Sequence, residues 1–213
     1  MRKYEESIDQ YIPEDKYIVV RLDGRSFTRL TKRVCKFKVP FDEKFRDLMT
    51  DTVKSLMESG FKIVYGYTES DEISLLFHPS EDTFSRKVRK INTTLAGEVS
   101  AAFSLNIGQI ATFDSRVVPL PDKKRVGDYF RWRQEDSLRN ALQGYCYWTL
   151  RMKEKLHLRL PESLTVKVLS LKKIFWLKRA LILTVFQTGK DMGVVSTLKK
   201  LKEKDSTQLK TKK

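Results

Sequence analysis

The sequence predicts an α+β fold of the ferredoxin-like, split βαβ kind: an antiparallel sheet with helices on one face and a further helix at the end. Three observations lead there. The hydrophobic period switches between two and about 3.6 residues in the order β-α-β-β-α-β. The two central strands are close enough in sequence to form a hairpin. No internal repeat or Gly/Ser linker interrupts residues 1–150.

The first strand is the β-branched, apolar run Lys16–Leu22, closed by the turn pair Asp23-Gly24. Between Pro40 and Gly60 the spacing becomes helical: Phe41, Phe45, Leu48, Met49, Val53, Leu56 and Met57 share one stripe, and Gly60 stops it. Phe61–Tyr67 reads as a strand, Thr68–Asp71 as a turn and Glu72–His78 as the returning strand. Helical spacing resumes from Phe84 to Leu105, where Ala96, Gly97, Ser100, Ala101 and Ala102 permit close packing. Ile110–Val118 is a short strand, and Val126–Arg151 a long helix bearing Trp132, Leu138, Leu142 and Tyr145.

Composition narrows the chemistry. Of 213 residues 40% are hydrophobic, enough for a core and too many for a wholly disordered chain. No apolar run approaches the roughly 18 residues of a membrane span, and Met1–Glu6 lacks the apolar centre of a signal peptide. The expectation is a cytoplasmic protein with no membrane contact. Two cysteines, Cys35 and Cys146, cannot make a disulfide framework, nor two histidines, His78 and His157, a zinc module. Catalysis would therefore rest on carboxylates, Lys/Arg, hydroxyls or bound ions. The net charge of +15 suggests a nucleic-acid partner, but its distribution is uneven. Residues 151–213 hold 17 Lys/Arg against 5 Asp/Glu, whereas residues 1–150 are nearly balanced.

Asp23 ends the first strand and Asp71-Glu72 stand at the turn of the hairpin. In a split βαβ sheet the first and third strands are neighbours, so these groups converge on one edge. Carboxylates that close repel unless a cation lies between them. Oxygen donors without His or Cys suit Mg²⁺, and Gly24 leaves its carbonyl accessible to the same ion. Two such ions favour in-line phosphoryl transfer. As simple turn formers the same pairs would need no ion. The basic residues Arg86, Lys87, Arg89 and Lys90, at the start of the second long helix, read either as a triphosphate site or as a solvated face. Ser26 and Thr28 read as phosphate donors or turn caps.

At this point the residues resemble a known family. Arg21-Leu22-Asp23-Gly24-Arg25-Ser26-Phe27-Thr28 and Tyr67-Thr68-Glu69-Ser70-Asp71-Glu72-Ile73-Ser74 are similar to the two metal-site motifs of the tRNA-His guanylyltransferase superfamily. Phe113–Val118 and Asp128–Asp136 resemble its next two blocks, in order and at similar separations. The resemblance implies a polymerase-like palm over residues 1–151 that extends tRNA in the 3′-to-5′ direction. ATP activates a 5′-monophosphate, the 3′-hydroxyl of GTP or another NTP attacks, and AMP leaves. It implies two Mg²⁺ held by Asp23, Asp71 and the Gly24 carbonyl, with Glu72 beside them as a further catalytic carboxylate. By the same resemblance Arg25, Ser26, Phe27, Thr28, Ser70, Lys87 and Lys90 bind nucleotide. Asp114, Arg116, Trp132, Arg133, Gln134, Asp136 and Asn140 shape the nucleotide or the tRNA end, and the protein assembles as a homo-tetramer.

Two departures refine this. Leu138-Arg139-Asn140-Ala141 replaces the family's His-Ile-Asn-Asn, which favours the Thg-like branch, the template-dependent polymerases that repair 5′-truncated tRNA. Lys38-Val39-Pro40 shifts by one residue a lysine that usually precedes the proline. The rivals are a tRNA-His-specific guanylyltransferase, a cyclase-like nucleotide enzyme on the same palm, and a truncated, inactive family member that only binds RNA.

From about Met152 the resemblance stops, and residues 152–213 form a basic tail. Where the family carries Ile-Asn-Phe-Asn…Pro-x-Trp-Gln, the chain has Ala180–Thr184 and then Val185–Lys190. Ala180–Thr184 can be coded GCA-TTA-ATT-TTA-ACC; shifted by one base behind an arginine codon ending in A, this reads Ser-Ile-Asn-Phe-Asn. The same shift through Lys190 can give Arg-Phe-Pro-Asn-Trp-Gln. The expectation is a tail read out of frame; the alternative is a genuine RNA-binding appendage.

Overall fold

The computed structural model describes residues 1–156 and the pair Phe186–Gln187. The rest of the tail, and the frame reading that concerns it, lie outside the described residues. The strands are β1 (Tyr17–Gly24), β2 (Ile63–Glu69), β3 (Glu72–Phe77), β4 (Phe113–Leu120) and β5 (Phe186–Gln187). They form one sheet in the order β4-β1-β3-β2-β5, each pairing antiparallel. The helices are α1 (Arg2–Glu6), α2 (Phe27–Arg29, continued by a π-helical turn at Leu30–Val34), α3 (Glu43–Met57), α4 (Val88–Ile107) and α5 (Lys123–Leu156). The order of β1 to β4 and the two crossovers are those of the split βαβ arrangement expected from the sequence.

Strand alternation sorts the two faces. Ile18, Val20 and Leu22 of β1 and Ile73, Leu75 and Phe77 of β3 point to one face. There they pack with Met49, Val53 and Leu56 of α3 and Ile91, Leu95, Val99 and Phe103 of α4. Both crossover helices therefore share a face, as expected. The opposite face is not left bare: Val19 and Leu76 pack beneath Val126 and Tyr129 of α5, the added helix. This makes a three-layer α/β/α body along the length of α5 that touches the sheet.

Some boundaries differ from expectation for local reasons. The hairpin is tighter, because Thr68 stays in β2 and its hydroxyl donates to the Glu72 carbonyl at 2.9 Å, so only Ser70 and Asp71 turn. α4 begins at Val88 rather than Phe84, since Phe84, Ser85 and Arg86 adopt left-handed backbone (φ 57°, 50° and 58°) that cannot continue a right-handed helix. α3 begins at Glu43, where the Asp42 carboxylate accepts from the Lys44 N–H at 2.8 Å. Among the described residues no helix is long and apolar enough to cross a membrane.

Candidate active site

The register places four acidic residues in one row across the sheet. Asp23 stands opposite both Asp114 and Glu72, and Glu72 opposite Glu69. By alternation they share the face that α5 covers. The Gly24 N–H donates to the Asp71 carbonyl at 3.0 Å, which joins the hairpin turn to the end of β1 and brings Asp71 to Asp23. A Cβ at Gly24 would lie 2.4 Å from the Phe27 ring. Glycine is therefore required here by the close approach of Phe27, whose ring stacks edge-on to Phe113 at 4.8 Å. Ser26 (φ 60°) and Ser70 (φ 48°), which flank the two aspartates, are both left-handed, the kind of backbone strain that a surrounding fold must hold.

Like charges facing across strands destabilise a sheet, and two arginines answer them. Arg133 of α5 is 3% exposed and grips Glu72 in a bidentate pair, Nε to Oε1 at 2.7 Å and Nη2 to Oε2 at 2.8 Å. The same Nη2 reaches Asp136 at 3.1 Å and Glu69 at 3.8 Å. Arg21 of β1 places Nη2 2.6 Å from Glu72 Oε2 and 3.4 Å from Asp23 Oδ2. The Tyr67 hydroxyl donates to Glu69 at 2.7 Å, and burial pushes that phenol far above its usual range. Burial also raises the carboxyls of Glu69 and Glu72, the neighbouring arginines opposing it at Glu72.

Asp71 differs in kind. Burial raises its carboxyl, the like charge of Asp23 adds to that, and the Ser70 hydroxyl at 3.0 Å opposes it. The arginines lie closer to Glu72, so Asp23, with Asp71 beside the row, carries the less compensated negative charge. Among the described residues no three His, Cys, Asp or Glu side chains gather to hold a metal. Two hard carboxylates leaving most of a coordination shell open is the donor set that suits Mg²⁺ completed by water and phosphate oxygens, so the residues fit that ion.

A cavity of about 1000 Å³ opens over this edge. Of the residues expected from the sequence, Asp23, Phe27, Thr28, Ser70, Asp71, Glu72, Arg133, Asp136 and Asn140 line it. Gly24, at the end of β1, and Arg25 and Ser26 after it do not line the cavity. Asp114 and Arg116 lie on edge strand β4, exposed and 3.5 Å from each other. Trp132 is half exposed, its ring 4.5 Å from the Arg133 guanidinium, and Gln134 lies outside the lining.

The basic start of α4 lies elsewhere. The buried Arg86 guanidinium donates to the carbonyls of Glu14 and Lys16. Lys16 precedes β1, and Asp23 stands some 20 Å further along the strand at about 3.3 Å per residue. Lys87 and Arg89 both pair with Asp9, at 2.7 and 3.0 Å, and Lys90 sits 6.0 Å above the Phe84 ring. The structure does not bring Lys87 or Lys90 into the cavity. Other lining residues were given no site role from the sequence: Arg21 and Glu69, Lys32 and Arg46, Tyr145 and Trp148. A charged residue inside the apolar alternation of β1 was the available signal for Arg21. Lys38, noted as displaced by one residue, also lines the cavity.

A profile described as tRNAHis guanylyltransferase matches residues 1–121, more than half of the chain. The chain belongs to the tRNA-His guanylyltransferase family. It is 31% identical over 159 residues to the tRNA(His) guanylyltransferase of Schizosaccharomyces pombe, covering 71% of this chain and 60% of that protein. To the Debaryomyces hansenii enzyme it is 30% identical over 156 residues, 68% of this chain and 58% of that one. The chain thus spans less than two thirds of the length of these relatives. Among solved structures it resembles a bacterial tRNA(His) guanylyltransferase-like protein in complex with GTP, with a TM-score of 0.64 at 28% identity over 69% of this chain and 73% of that one. A second structure, of a bacterial tRNA(His) guanylyltransferase-like protein in complex with ATP, gives 0.63 at 30% identity over 68% of this chain and 66% of that one. The Saccharomyces cerevisiae tRNA(His) guanylyltransferase has the same fold, with a TM-score of 0.65 at 23% identity over 92% and 98%. The fold class expected from the sequence is thus the fold observed.

Proposed function

We propose that the protein is a Mg²⁺-dependent nucleotidyltransferase that adds GTP and other nucleotides to the 5′ end of tRNA after ATP activates the 5′-phosphate. The observation that carries this is the Gly24 N–H to Asp71 carbonyl bond, which sets Asp71 beside Asp23 at the edge of the sheet, beneath a cavity of about 1000 Å³, in a chain of this family. Nucleotide-bound relatives of the same fold support it, as do the names of the curated relatives.

The residues suit the parts they would play. Asp23 and Asp71, with the Gly24 carbonyl, would hold the ions, whose chemistry is to lower the charge on phosphate oxygens and favour oxygen attack. Thr28 and Ser70 offer hydroxyls at the cavity wall to phosphate oxygens, and Lys32, Lys38 and Arg46 line it with positive charge. These cations set a field that draws in a triphosphate and an RNA end. Asp136 and Asn140 on α5 line the same cavity and would shape the nucleotide or the tRNA end.

Within this activity we favour template-dependent repair of 5′-truncated tRNA, because Leu138-Arg139-Asn140-Ala141 replaces the histidine-bearing stretch of the guanylyltransferases proper. The reading as a tRNA-His-specific enzyme draws on the curated relatives, which carry that name. We further propose that the sequence after about residue 152 is out of frame and that the in-frame protein is a cytoplasmic homo-tetramer.

The test uses Mg²⁺, ATP, labelled GTP and a 5′-monophosphorylated tRNA lacking its first nucleotide, with Asp23→Ala as control. Template-matched 5′ addition, absent from the control, is expected. Addition to tRNA-His alone would select the specific enzyme, and addition by the control would remove the carboxylate assignment.

A further inference from the structure

We infer that Glu72, clamped by Arg133, is a positioning residue that draws Arg21 toward itself, limits it to one long bond with Asp23 and so leaves Asp23 able to bind a cation. The inference rests on the proposed metal site and concerns the residues behind it. A single nitrogen, Arg21 Nη2, faces two carboxylates: Glu72 Oε2 at 2.6 Å and Asp23 Oδ2 at 3.4 Å. The first is a close ion pair and the second a hydrogen bond near the limit of length. A shift of well under 1 Å would reverse the preference, and Arg21 would then occupy the oxygen that the cation needs.

The clamp from α5 decides the outcome. Both Glu72 oxygens accept from Arg133, Oε1 from Nε and Oε2 from Nη2. Arg133 is in turn fixed by Asp136, four-fifths of a turn along the same helix, at 3.1 Å. Glu72 is 5% exposed, so neither the carboxylate nor its partners are bathed in solvent that would screen them. With Oε1 taken once and Oε2 twice, Glu72 has little capacity left to ligate an ion. Its nearness to Asp71 in the sequence suggests a catalytic carboxylate, but its contacts make it the counter-ion of two arginines. The site thus separates two kinds of acid at one edge of the sheet: Glu72 draws the arginines, and Asp23 with Asp71 is kept for the cation.

The experiment titrates the full chain with Mn²⁺ alone, reading free Mn²⁺ by its electron paramagnetic resonance signal, with Asp23→Ala as the blank for other sites. Glu72→Gln keeps the shape and removes the charge, and is expected to weaken Asp23-dependent Mn²⁺ binding about tenfold as Arg21 closes on Asp23. Adding Arg21→Gln to that variant is expected to restore binding to within about threefold of the unaltered protein, since no cation then competes for Asp23. Arg133→Lys loosens the clamp without changing charge and should weaken binding in the same direction, again relieved by Arg21→Gln; it serves if Glu72→Gln fails to fold by thermal melting. Unchanged binding in Glu72→Gln overturns the inference. So does a double variant as weak as the single, the result expected if Glu72 is itself a ligand. Absence of Asp23-dependent binding in the unaltered protein overturns the metal reading and this inference with it.

Discussion

Asp23 and Asp71 were legible in the sequence because turn chemistry puts Asp at strand ends, and the strand order then makes those ends neighbours. Asp71→Ala should abolish nucleotide addition and leave tRNA binding largely intact, checked by a turnover assay beside a filter-binding or anisotropy titration. Arg133 was legible as part of a family block but not for its actual partner, because a bidentate grip on a residue 61 positions away leaves no local trace. Arg133→Met should cost about 3–5 kcal/mol in a urea melt, since it leaves a buried carboxylate row half compensated. Gly24 looked like a turn residue with a useful carbonyl, and its packing against Phe27 became visible only in three dimensions. Gly24→Ala should destabilise by about 1–3 kcal/mol through overpacking, and Phe27→Leu in the same chain should recover part of that loss.

At the scale of elements, strands were read more securely than helix surfaces. The strands are short β-branched and apolar runs bounded by turn residues, whereas the buried stripe of α5 runs Val126, Tyr129, Arg133 and Ser137. Half of that stripe is polar, so a search for apolar spacing passes over it and selects Leu138 and Leu142, which are each 45% exposed. The start of α4 was misplaced for a related reason: three consecutive left-handed residues carry ordinary side chains, Phe84, Ser85 and Arg86, with no glycine to announce them. The basic residues there fasten the N-terminal segment through Asp9. The hydrogen bond from Lys87, with Arg89 beside it, holds the Asp9 carboxyl below its usual value. A lowered folded value means that this contribution is complete above the unfolded carboxylate range and is lost as pH falls through the folded value. Asp9→Asn should therefore lower the melting temperature at neutral pH, and the gap to the unaltered protein should close below about pH 3.8.

For the molecule as a whole, fold class and strand order followed from periodicity, while the partition of charge did not. The +15 net charge is concentrated beyond residue 151, and the cavity has both acidic and basic walls that no sum reveals. Sequencing the gene should find that a one-base correction near codon 152 restores Ser-Ile-Asn-Phe-Asn and Pro-Asn-Trp-Gln. The corrected chain should then carry a smaller positive charge and add nucleotides at least as well in the 5′-addition assay. The acidic row has a further bearing on handling and on life in a cell. Its arginines arrive with the chain itself, so under the proposed function folding would not wait for an ion, and the magnesium supply would govern turnover alone. Chelation should silence the enzyme within the time of ion exchange while shifting its melting temperature by no more than about 2–3 °C, on the scale of a modest loss of binding energy. Returning the ion should restore activity without a refolding lag, as calorimetry and a re-addition time course would register.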